Sequence, residues 1–371
     1  MPKTALYLAG GGARGAYQAG VLKAIQHIFQ PKTSPFSMIS GVSIGSVNAA
    51  ILAENADDFG LGVEKLEALW HNIHCQQVYN ASNYALSKSI ARNLSRFIVK
   101  PRNSGYLLDT TPLQDFFRDH IDFNKIHQNI EQGTLETFEV ISNCYETQQT
   151  ISFYQHHMPN FDDWSYPRHT SQRTTLRAEH ILSSSALPLF FPAIPIRGRH
   201  YGDGSMGLVS PLRGPIRFHV EKILIIGTRP TPGTILPEKL QTADIGFAHI
   251  LGNMLNSLFL DNLDRDIENV NRMNDIAHLL SIWKKRHSPW RPIDMFCLRP
   301  SMDVARLAQD KYHSMPSFLR MCLNCLGAEQ HSGDLLSFLL FEKEFTRDLI
   351  KLGYEDTLAQ EAALQPFFSS K

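Results

Sequence analysis

The sequence has no excess of charge of either sign. Lys and Arg together number 36, Asp and Glu together also number 36, and the formal net charge is zero. A chain without net positive charge gives no general reason to expect a nucleic-acid partner, although local basic patches could still contact anionic lipid. The composition therefore argues against nucleic acid and leaves a lipid surface open.

The chain also has little cysteine, with five residues among 371: Cys75, Cys144, Cys297, Cys322 and Cys325. So few cysteines in so long a chain do not form a disulfide framework. Cys322 and Cys325 have the C-x-x-C spacing of some metal and redox sites, but no second pair accompanies them. Apolar residues surround them at helical spacing, which favours two small core residues on a helix. We therefore expect no metal site.

Long apolar runs are absent as well. The longest, Leu335 to Phe341, is interrupted by Ser337 and is far shorter than the ~18 residues that a membrane-spanning helix needs. Near the start, Ala5 to Ala9 is too short for the apolar core of a secretory signal. The sequence predicts a protein that is soluble when made, either cytoplasmic or at the membrane periphery, and export without an N-terminal signal stays open.

The stretch around Ser43 carries the first chemical signal. Ser43 lies between Gly41 and Gly45 at G-x-S-x-G spacing, after a short apolar run and before Ile44 to Asn55, which has the composition of a helix. A sharp strand-to-helix turn exposes a serine hydroxyl above a helix N-terminus, and small flanking residues let neighbouring backbone approach it. The motif alone also occurs in ordinary turns, so a second signal is needed.

A glycine loop near the N-terminus supplies that second signal. Gly10 to Gly15 follows the strand-like run Thr4 to Ala9 and precedes Ala16 to Phe29, whose apolar residues recur at helical spacing. A strand, a glycine loop and a helix with free N–H groups together make an anion site. The anion is either a bound ligand or a reaction intermediate.

Two chemistries fit the glycine loop. Gly10, Gly12 and Gly15 match the dinucleotide fingerprint G-x-G-x-x-G, but the acidic residue expected about 20 positions later is missing, and the first acidic residue is Glu54. An NADP site with a basic residue such as Lys32 stays possible. For acyl transfer, the N–H groups of Gly11, Gly12 and Ala13 could instead stabilise an oxyanion.

The third signal is a carboxylate between glycines. Asp203 lies between Gly202 and Gly204, after an apolar run, in a segment that continues to Ser205. Such a segment is typical of a tight turn, and a hairpin turn with a solvated carboxylate is the simplest interpretation. The first two signals require a base, which favours a catalytic carboxylate. None of the 16 histidines stands in a motif, and we interpret His200 as a rim residue.

In order and spacing over about residues 4 to 230, these motifs resemble the patatin-like phospholipases, lipid acyl hydrolases that use a Ser-Asp dyad. Ser184 to Pro192 also resembles the S-x-A-x-P-x-x-F-P segment that precedes the aspartate in that family. The resemblance implies that Ser43 is the nucleophile and Asp203 the base. It also implies an oxyanion hole with Arg14 as its fixed cation, built from Gly10, Gly11, Gly12, Ala13, Arg14 and Gly15. Ser205 replaces the Gly or Ala that is usual after Asp-Gly.

The resemblance further implies an α/β fold, a three-layer α/β/α core with a central, mostly parallel sheet and a helical C-terminal extension. We expect a catalytic domain over 4–230 and a mainly helical region over 231–371 packed on or beside it. Strand patterns also predict a hairpin or two neighbouring sheet strands over Glu136 to Tyr154, and a buried central strand over Lys222 to Gly227, where the core is expected to end. A further strand is predicted over Phe296 to Leu298. The acidic run Asp261 to Asp266 indicates a solvated helix face.

Two basic segments are candidate membrane contacts. Ala85 to Val99 alternates apolar and basic residues, which suits a lid over a lipase site, although a surface helix is the simpler interpretation. Lys284 to His287, flanked by Trp283 and Trp290, is the densest basic cluster and suits either an interfacial anchor or a surface loop. Peripheral membrane contact is therefore expected, while a protein activator and the oligomeric state stay open.

We therefore predict a serine hydrolase that cleaves fatty-acyl esters of phospholipids or related lipids, of phospholipase A or lysophospholipase type, without a cofactor or metal. One alternative is a catalytically silent protein that binds lipid or a partner on the same fold. The other is an NADP-dependent oxidoreductase that uses the glycine loop.

Overall fold

The structure is a computed structural model that describes residues 3–79, 106, 108–158, 160–230, 247–259, 261–279, 291–317, 320–321 and 333–369. The predicted amphipathic segment Ala85 to Val99, the basic cluster Lys284 to His287 and the pair Cys322 and Cys325 lie outside the described residues. In the described part of the chain, no helix is long and apolar enough to cross a membrane.

A single sheet of ten strands forms the centre of the molecule. Along its main path the strands follow the order β10-β9-β1-β2-β3-β4-β6-β5, while β8 pairs with the far end of β3 and β7 pairs with β8. The strands are β1 (Thr4–Leu8), β2 (Met38–Val42), β3 (Thr137–Cys144), β4 (Gln149–His156), β5 (Ser165–Tyr166), β6 (His169–Arg173), β7 (Ile194–Ile196), β8 (Arg199–Asp203), β9 (Lys222–Ile226) and β10 (Asp294–Leu298).

The five strands from β10 to β3 are all parallel, and β4 turns back against β3 as the predicted hairpin. Strand β9 is buried along its whole length, as expected for a β-branched run inside a parallel sheet that is covered on both faces. The sheet does not end there, however, because β10 pairs with β9. The predicted end of the core near Gly227 was therefore wrong, although the strand predicted at Phe296 to Leu298 is confirmed.

Helices cover both faces of the sheet, which confirms the predicted α/β fold class. They are α1 (Ala16–Phe29), α2 (Ile44–Glu54), α3 (Phe59–Asn72), α4 (Cys75–Val78), α5 (Thr111–His120), α6 (Phe123–Glu131), α7 (Ala178–Ser184), α8 (Arg213–Arg217), α9 (Phe247–Phe259), α10 (Asp261–Leu279), α11 (Val304–Asp310), α12 (Gly333–Leu339), α13 (Lys343–Ala359) and α14 (Glu361–Phe368), with 3-10 turns at Gly12–Gly15 and Tyr312–Ser314.

The two faces of the sheet pack into two apolar clusters. The larger cluster joins α1, α2 and α3 to the C-terminal helices α12 and α13. The smaller one, on the other face, packs Tyr7 and Ile225 against Leu263 and Val270 of α10. Because the larger cluster includes side chains from both sides of residue 230, the C-terminal helices help to bury the core formed by residues 4–230. The division into domains at that residue stays a prediction.

One predicted feature of α10 is wrong. Asp266 does not lie on a solvated face, since it is buried and its carboxylate accepts hydrogen bonds from Ser210 Oγ and from the Leu212 N–H. Both donors lie in the loop that follows β8. The sequence pattern suggested a polar helix face because Asp266 has acidic neighbours, whereas its partners come from a segment more than 50 positions away in the chain.

Candidate active site

Ser43 occupies the turn between β2 and α2. Its backbone angles are φ 55° and ψ −131°, outside the regions that non-glycine residues ordinarily adopt. Gly45 makes the turn sterically possible, because a Cβ at this position would lie 2.2 Å from the Leu8 carbonyl oxygen. The chain therefore holds Ser43 in a strained conformation directly beside the end of β1, which is typical of a nucleophile elbow.

Strand β3 brings Asp203 to Ser43 from a distant part of the chain. Val42, the last residue of β2, pairs with Ile141 of β3, and Asp203, the last residue of β8, pairs with Ser142. Strands β2 and β8 thus end side by side along the same edge of β3. This pairing places the two predicted active-site residues next to each other although 160 positions separate them in the sequence.

The Ser43 hydroxyl donates a hydrogen bond of 2.5 Å to Asp203 Oδ2. The other carboxylate oxygen, Oδ1, accepts a 2.9 Å hydrogen bond from the Ser205 backbone N–H. Asp203 is fully buried and Ser43 is 5% exposed. The carboxylate is therefore fixed in orientation, with one oxygen directed at the serine hydroxyl.

Burial raises the pKa of Asp203 to about 7, and the hydrogen bonds from Ser43 and Ser205 only partly oppose this shift. Desolvation disfavours the ionised form of a carboxyl group, and a base performs best when its pKa is close to the working pH. An Asp with an ordinary pKa would be a weak proton acceptor at neutral pH. The buried position makes this carboxylate a better base.

Ser184 supports the site from beneath, a role that sequence reasoning missed. Its hydroxyl accepts a 2.9 Å hydrogen bond from the Ser43 N–H and donates one of 2.6 Å to the Ile141 carbonyl of β3. Its own carbonyl accepts the Gly204 N–H at 3.1 Å. Ser184 therefore ties the turns of Ser43 and Asp203 to one another.

The glycine loop lies against Ser43. A Cβ at Gly10 would be 3.0 Å from the Ser43 Cβ, and the loop backbone turns with positive φ at Gly11 (150°) and Gly12 (57°). The Thr228 hydroxyl holds the loop by donating to the Gly10 carbonyl at 2.5 Å. Neither the Gly11 nor the Gly12 N–H has an acceptor in the described part of the chain. Both are therefore available to an oxygen above Ser43.

A buried polar network anchors the helices behind the loop. Trp70 Nε1 donates to Asn48 Oδ1 at 2.9 Å, Asn48 Nδ2 donates to Gln18 Oε1 at 2.8 Å, and Gln18 Nε2 donates to the Ala9 carbonyl at 2.8 Å. This chain links α3, α2 and α1 to the residue before the glycine loop. Sequence reasoning missed these three side chains, because each looks like an ordinary helix residue.

Arg14 does not face the site but turns toward the C-terminal helix α12. Its guanidinium donates to Ser337 Oγ at 2.8 Å, pairs with Asp334 at 3.2 Å and stacks on the Phe338 ring at 4.4 Å. The side chain is almost fully buried, and burial lowers its pKa while the neighbouring Asp334 opposes that effect. In this structure Arg14 joins the glycine loop to α12, and only its backbone belongs to the rim of the site.

An apolar pocket opens beside Ser43. It encloses about 740 Å³, its open mouth included, which is within the usual range for small-molecule sites. Gly11, Gly12 and Ser43 form its polar end. Most of the remaining wall is apolar and comes from α2, α3, α5, the loop after α7 and the C-terminal residues 338, 339 and 341. Such a pocket suits the hydrocarbon part of a ligand.

Among the described residues, no second base stands beside the pair formed by Ser43 and Asp203. His200, the histidine nearest to Asp203 in sequence, is exposed and pairs with Glu146 at 2.8 Å. Over the described ranges, no histidine forms a hydrogen bond with Ser43 or Asp203. Nor do any three His, Cys, Asp or Glu side chains of the described residues converge as a metal site requires. The geometry therefore supplies a serine, a carboxylate and backbone donors.

Comparison with protein families agrees with the motifs. A family model described as "Patatin-like phospholipase" matches residues 6–216, more than half of the chain. Over 67 residues the chain is 42% identical to "Patatin-like phospholipase domain-containing protein ZK370.4" from Caenorhabditis elegans. That match covers 18% of this chain and only 4% of the nematode protein, so the chain corresponds to a small part of that relative.

Two solved structures are similar at low identity. VipD from Legionella pneumophila is 12% identical with a TM-score of 0.35, and the match covers 95% of this chain and 67% of that one. The second is the complex of full-length SpcU with full-length ExoU from the type III secretion system of Pseudomonas aeruginosa. It matches with 16% identity and a TM-score of 0.27, covering 73% of this chain and 52% of that one. Neither TM-score is high enough to carry an argument.

Proposed function

Because the chain belongs to the patatin-like phospholipase family, we propose that it is a lipid acyl hydrolase of the phospholipase A or lysophospholipase type that uses a Ser43–Asp203 dyad. The observation that supports this proposal most directly is the 2.5 Å hydrogen bond between Ser43 Oγ and Asp203 Oδ2. Membership of this family supports lipid hydrolase activity in general. The nucleophile, the base and the type of ester are our proposals.

In the proposed reaction, Ser43 Oγ attacks the ester carbonyl carbon while Asp203 accepts its proton. The carbonyl oxygen becomes an oxyanion, and the N–H groups of Gly11 and Gly12 stabilise it, with Ala13 as a further candidate donor. Preorganised donors of this kind contribute about 3 to 4 kcal/mol each to lowering the barrier.

The tetrahedral intermediate then collapses. The C–O bond to the alcohol breaks, and the proton held by Asp203 passes to the leaving oxygen. Asp203 next activates a water molecule, which attacks the acyl-enzyme and releases the fatty acid while Ser43 regains its proton. The raised pKa of Asp203 suits both directions of transfer, because a carboxyl group with pKa about 7 can hold the proton between the two steps.

The apolar pocket supports a fatty-acyl substrate. Ser43 lines its polar end, and side chains such as Trp70, Phe117 and Phe338 line its wall, so an acyl chain placed there would bring its ester to the serine. Removing a CH₂ group from water stabilises binding by about 0.8 kcal/mol. A long acyl chain would therefore contribute far more to affinity in this pocket than a short one, and we expect contact with a lipid surface during turnover.

The decisive experiment measures fatty-acid release from phosphatidylcholine and lysophosphatidylcholine vesicles without added metal. We expect release by the wild-type protein, none by Ser43→Ala and almost none by Asp203→Asn. His200→Ala is the matched control, since this exposed histidine is the nearest alternative base in sequence and should leave the rate unchanged. Equal release by the wild type and Ser43→Ala would refute the dyad.

The same pocket could serve a silent lipid-binding protein, and one measurement separates the two functions. Lipid binding by the wild type with no product from any vesicle would favour that alternative. The NADP-dependent alternative predicts nucleotide binding, measurable by fluorescence. Family membership argues against it, as does the contact of the glycine loop with α12, where a Cβ at Gly12 would lie 2.2 Å from the Phe338 carbonyl oxygen.

A further inference from the structure

A second pocket lies on the other face of the sheet. It measures about 410 Å³, its open mouth included, at the carboxyl ends of β1 and β9, near that of β10. Tyr7 and Leu263, which belong to the smaller apolar cluster, form its floor, whereas the pocket beside Ser43 borders the larger cluster. The two pockets thus flank the same edge of the sheet, which is where ligands bind in open α/β folds.

Among the described residues, the backbone of Gly10 lies between residues of this second pocket and Ser43. Thr228, in its wall, donates to the Gly10 carbonyl, and a Cβ on Gly10 would meet Ser205 Oγ at 2.8 Å and Ser43 Cβ at 3.0 Å. Ser205 also lines the pocket. A ligand there would therefore be within a few atoms of a substrate bound at Ser43.

The polar lining of this pocket is suited to an anion. Arg229 and Arg299 both border it, and no Asp or Glu is among the described residues that line it. Arg299 pairs with Asp264 and donates from Nε to Cys297 Sγ, and these two contacts hold its mostly buried side chain in place. Two arginines bordering one small cavity favour phosphate as the ligand, because guanidinium groups bind phosphate oxygens well.

Ser205 provides the independent observation. Ser205 is 2% exposed, and its hydroxyl lies near the Asp203 carboxylate without forming a regular hydrogen bond to any described residue. A buried hydroxyl without a partner costs free energy, and such groups call for an explanation such as a ligand. Ser205 is also the position at which this chain departs from the Gly or Ala usual in the family. A phosphate oxygen in the pocket would accept a hydrogen bond from this hydroxyl.

We propose that this pocket, lined by Ser205, Arg229 and Arg299, is a binding subsite for a phosphate group. The inference rests on the proposed function in one respect: it assigns that phosphate to the head group of a phospholipid whose acyl chain occupies the pocket beside Ser43. The substrate then spans the edge of the sheet, with its ester at the serine. Free phosphate has the same chemistry, and the experiment distinguishes the two sources.

The first arm measures binding without catalysis. Ser43→Ala protein is titrated calorimetrically with inorganic phosphate and with sn-glycerol 3-phosphate. Adding Arg229→Gln should weaken binding about tenfold, because a charged hydrogen bond is lost, and Arg229→Lys should recover part of it. Arg272→Gln is the matched control, since that arginine lies exposed on α10 and pairs with Glu268 one turn away. Equal binding by the Arg229→Gln and Arg272→Gln proteins would overturn the site.

The second arm measures turnover of two lipids with identical acyl chains, phosphatidylcholine and diacylglycerol, in the same mixed micelles. Arg229→Gln and Ser205→Ala should each lower the ratio of phospholipid to diacylglycerol hydrolysis, by about tenfold for Arg229→Gln. An unchanged ratio with weakened phosphate binding would assign the pocket to free phosphate. If the wild type hydrolyses neither lipid, the proposed function has failed, and the titration still decides the phosphate site.

Discussion

Replacing Asp203 by Asn should remove activity and make the protein more stable above neutral pH. The substitution keeps the size of the side chain. An amide can still accept the Ser205 N–H and donate to Ser43 Oγ, so the hydrogen-bond pattern survives. What disappears is a charge in a site from which water is excluded. The variant therefore isolates the energetic cost of keeping a base at this position.

The magnitude follows from the pKa of Asp203. Burial raises it from 3.8 to about 7, so the native state binds this proton more tightly than the unfolded state does. The contribution to stability is fully present below pH 3.8 and is lost as the pH rises through about 7. From pH 5 to the native pKa is two pH units, each worth about 1.36 kcal/mol. The free energy of unfolding of the wild type should thus fall by about 3 kcal/mol between pH 5 and pH 9 through this group alone.

Urea unfolding of the wild type and of Asp203→Asn near pH 5 and pH 9 tests this value. Other buried carboxyl groups, such as Glu139, also have a raised pKa and contribute to the pH dependence of both proteins. For each protein we take the change in the free energy of unfolding between pH 5 and pH 9. Subtracting the change of the variant from that of the wild type cancels those contributions. We expect the wild-type free energy of unfolding to fall by about 3 kcal/mol more than that of the variant.

A double difference near zero would refute the reasoning. It would mean that Asp203 has the same pKa in the folded and unfolded states, and hence that the carboxylate is not desolvated. A double difference of opposite sign would mean that the hydrogen bonds from Ser43 and Ser205 outweigh burial. In either case Asp203 would be ionised well below pH 7, and its fitness as a base would need another explanation.

Three further predictions concern rate and packing. The value of kcat/KM should rise about tenfold between pH 6 and pH 8 as Asp203 loses its proton. A value of kcat/KM that does not change with pH over this range would exclude Asp203 as the base. Gly204→Ala should destabilise the fold by about 3 kcal/mol, because the new Cβ would lie 1.9 Å from the Ile141 carbonyl oxygen. Gly60→Ala is the control, since its new Cβ would face a flexible side chain and should change stability little. Thermal melts of both variants measure the difference. Arg14→Met should lower stability by about 2 kcal/mol, because it removes buried hydrogen bonds such as the one to Ser337. It should also reduce turnover, because the glycine loop loses its attachment to α12. An unchanged melting temperature and unchanged turnover would contradict this prediction.

Much of the fold could be predicted because its signals are local in the chain. A strand, a glycine loop and a helix follow one another within the first 29 residues, and apolar runs such as Lys222 to Ile226 identify buried strands by composition. The same holds for the hairpin of β3 and β4. The short strands β5, β6 and β7 were missed, because their residues alternate little and owe their conformation to pairing with neighbours.

Sequence motifs alone determined which residues are candidates: a serine between glycines, a carboxylate before Gly204 and a glycine loop. Only the tertiary structure decided how they meet. Strand β3 aligns the ends of β2 and β8, burial raises the pKa of Asp203, and Ser184 joins the two turns. Pairing between distant strands and removal from water depend on the whole packed chain, so no local pattern could reveal them.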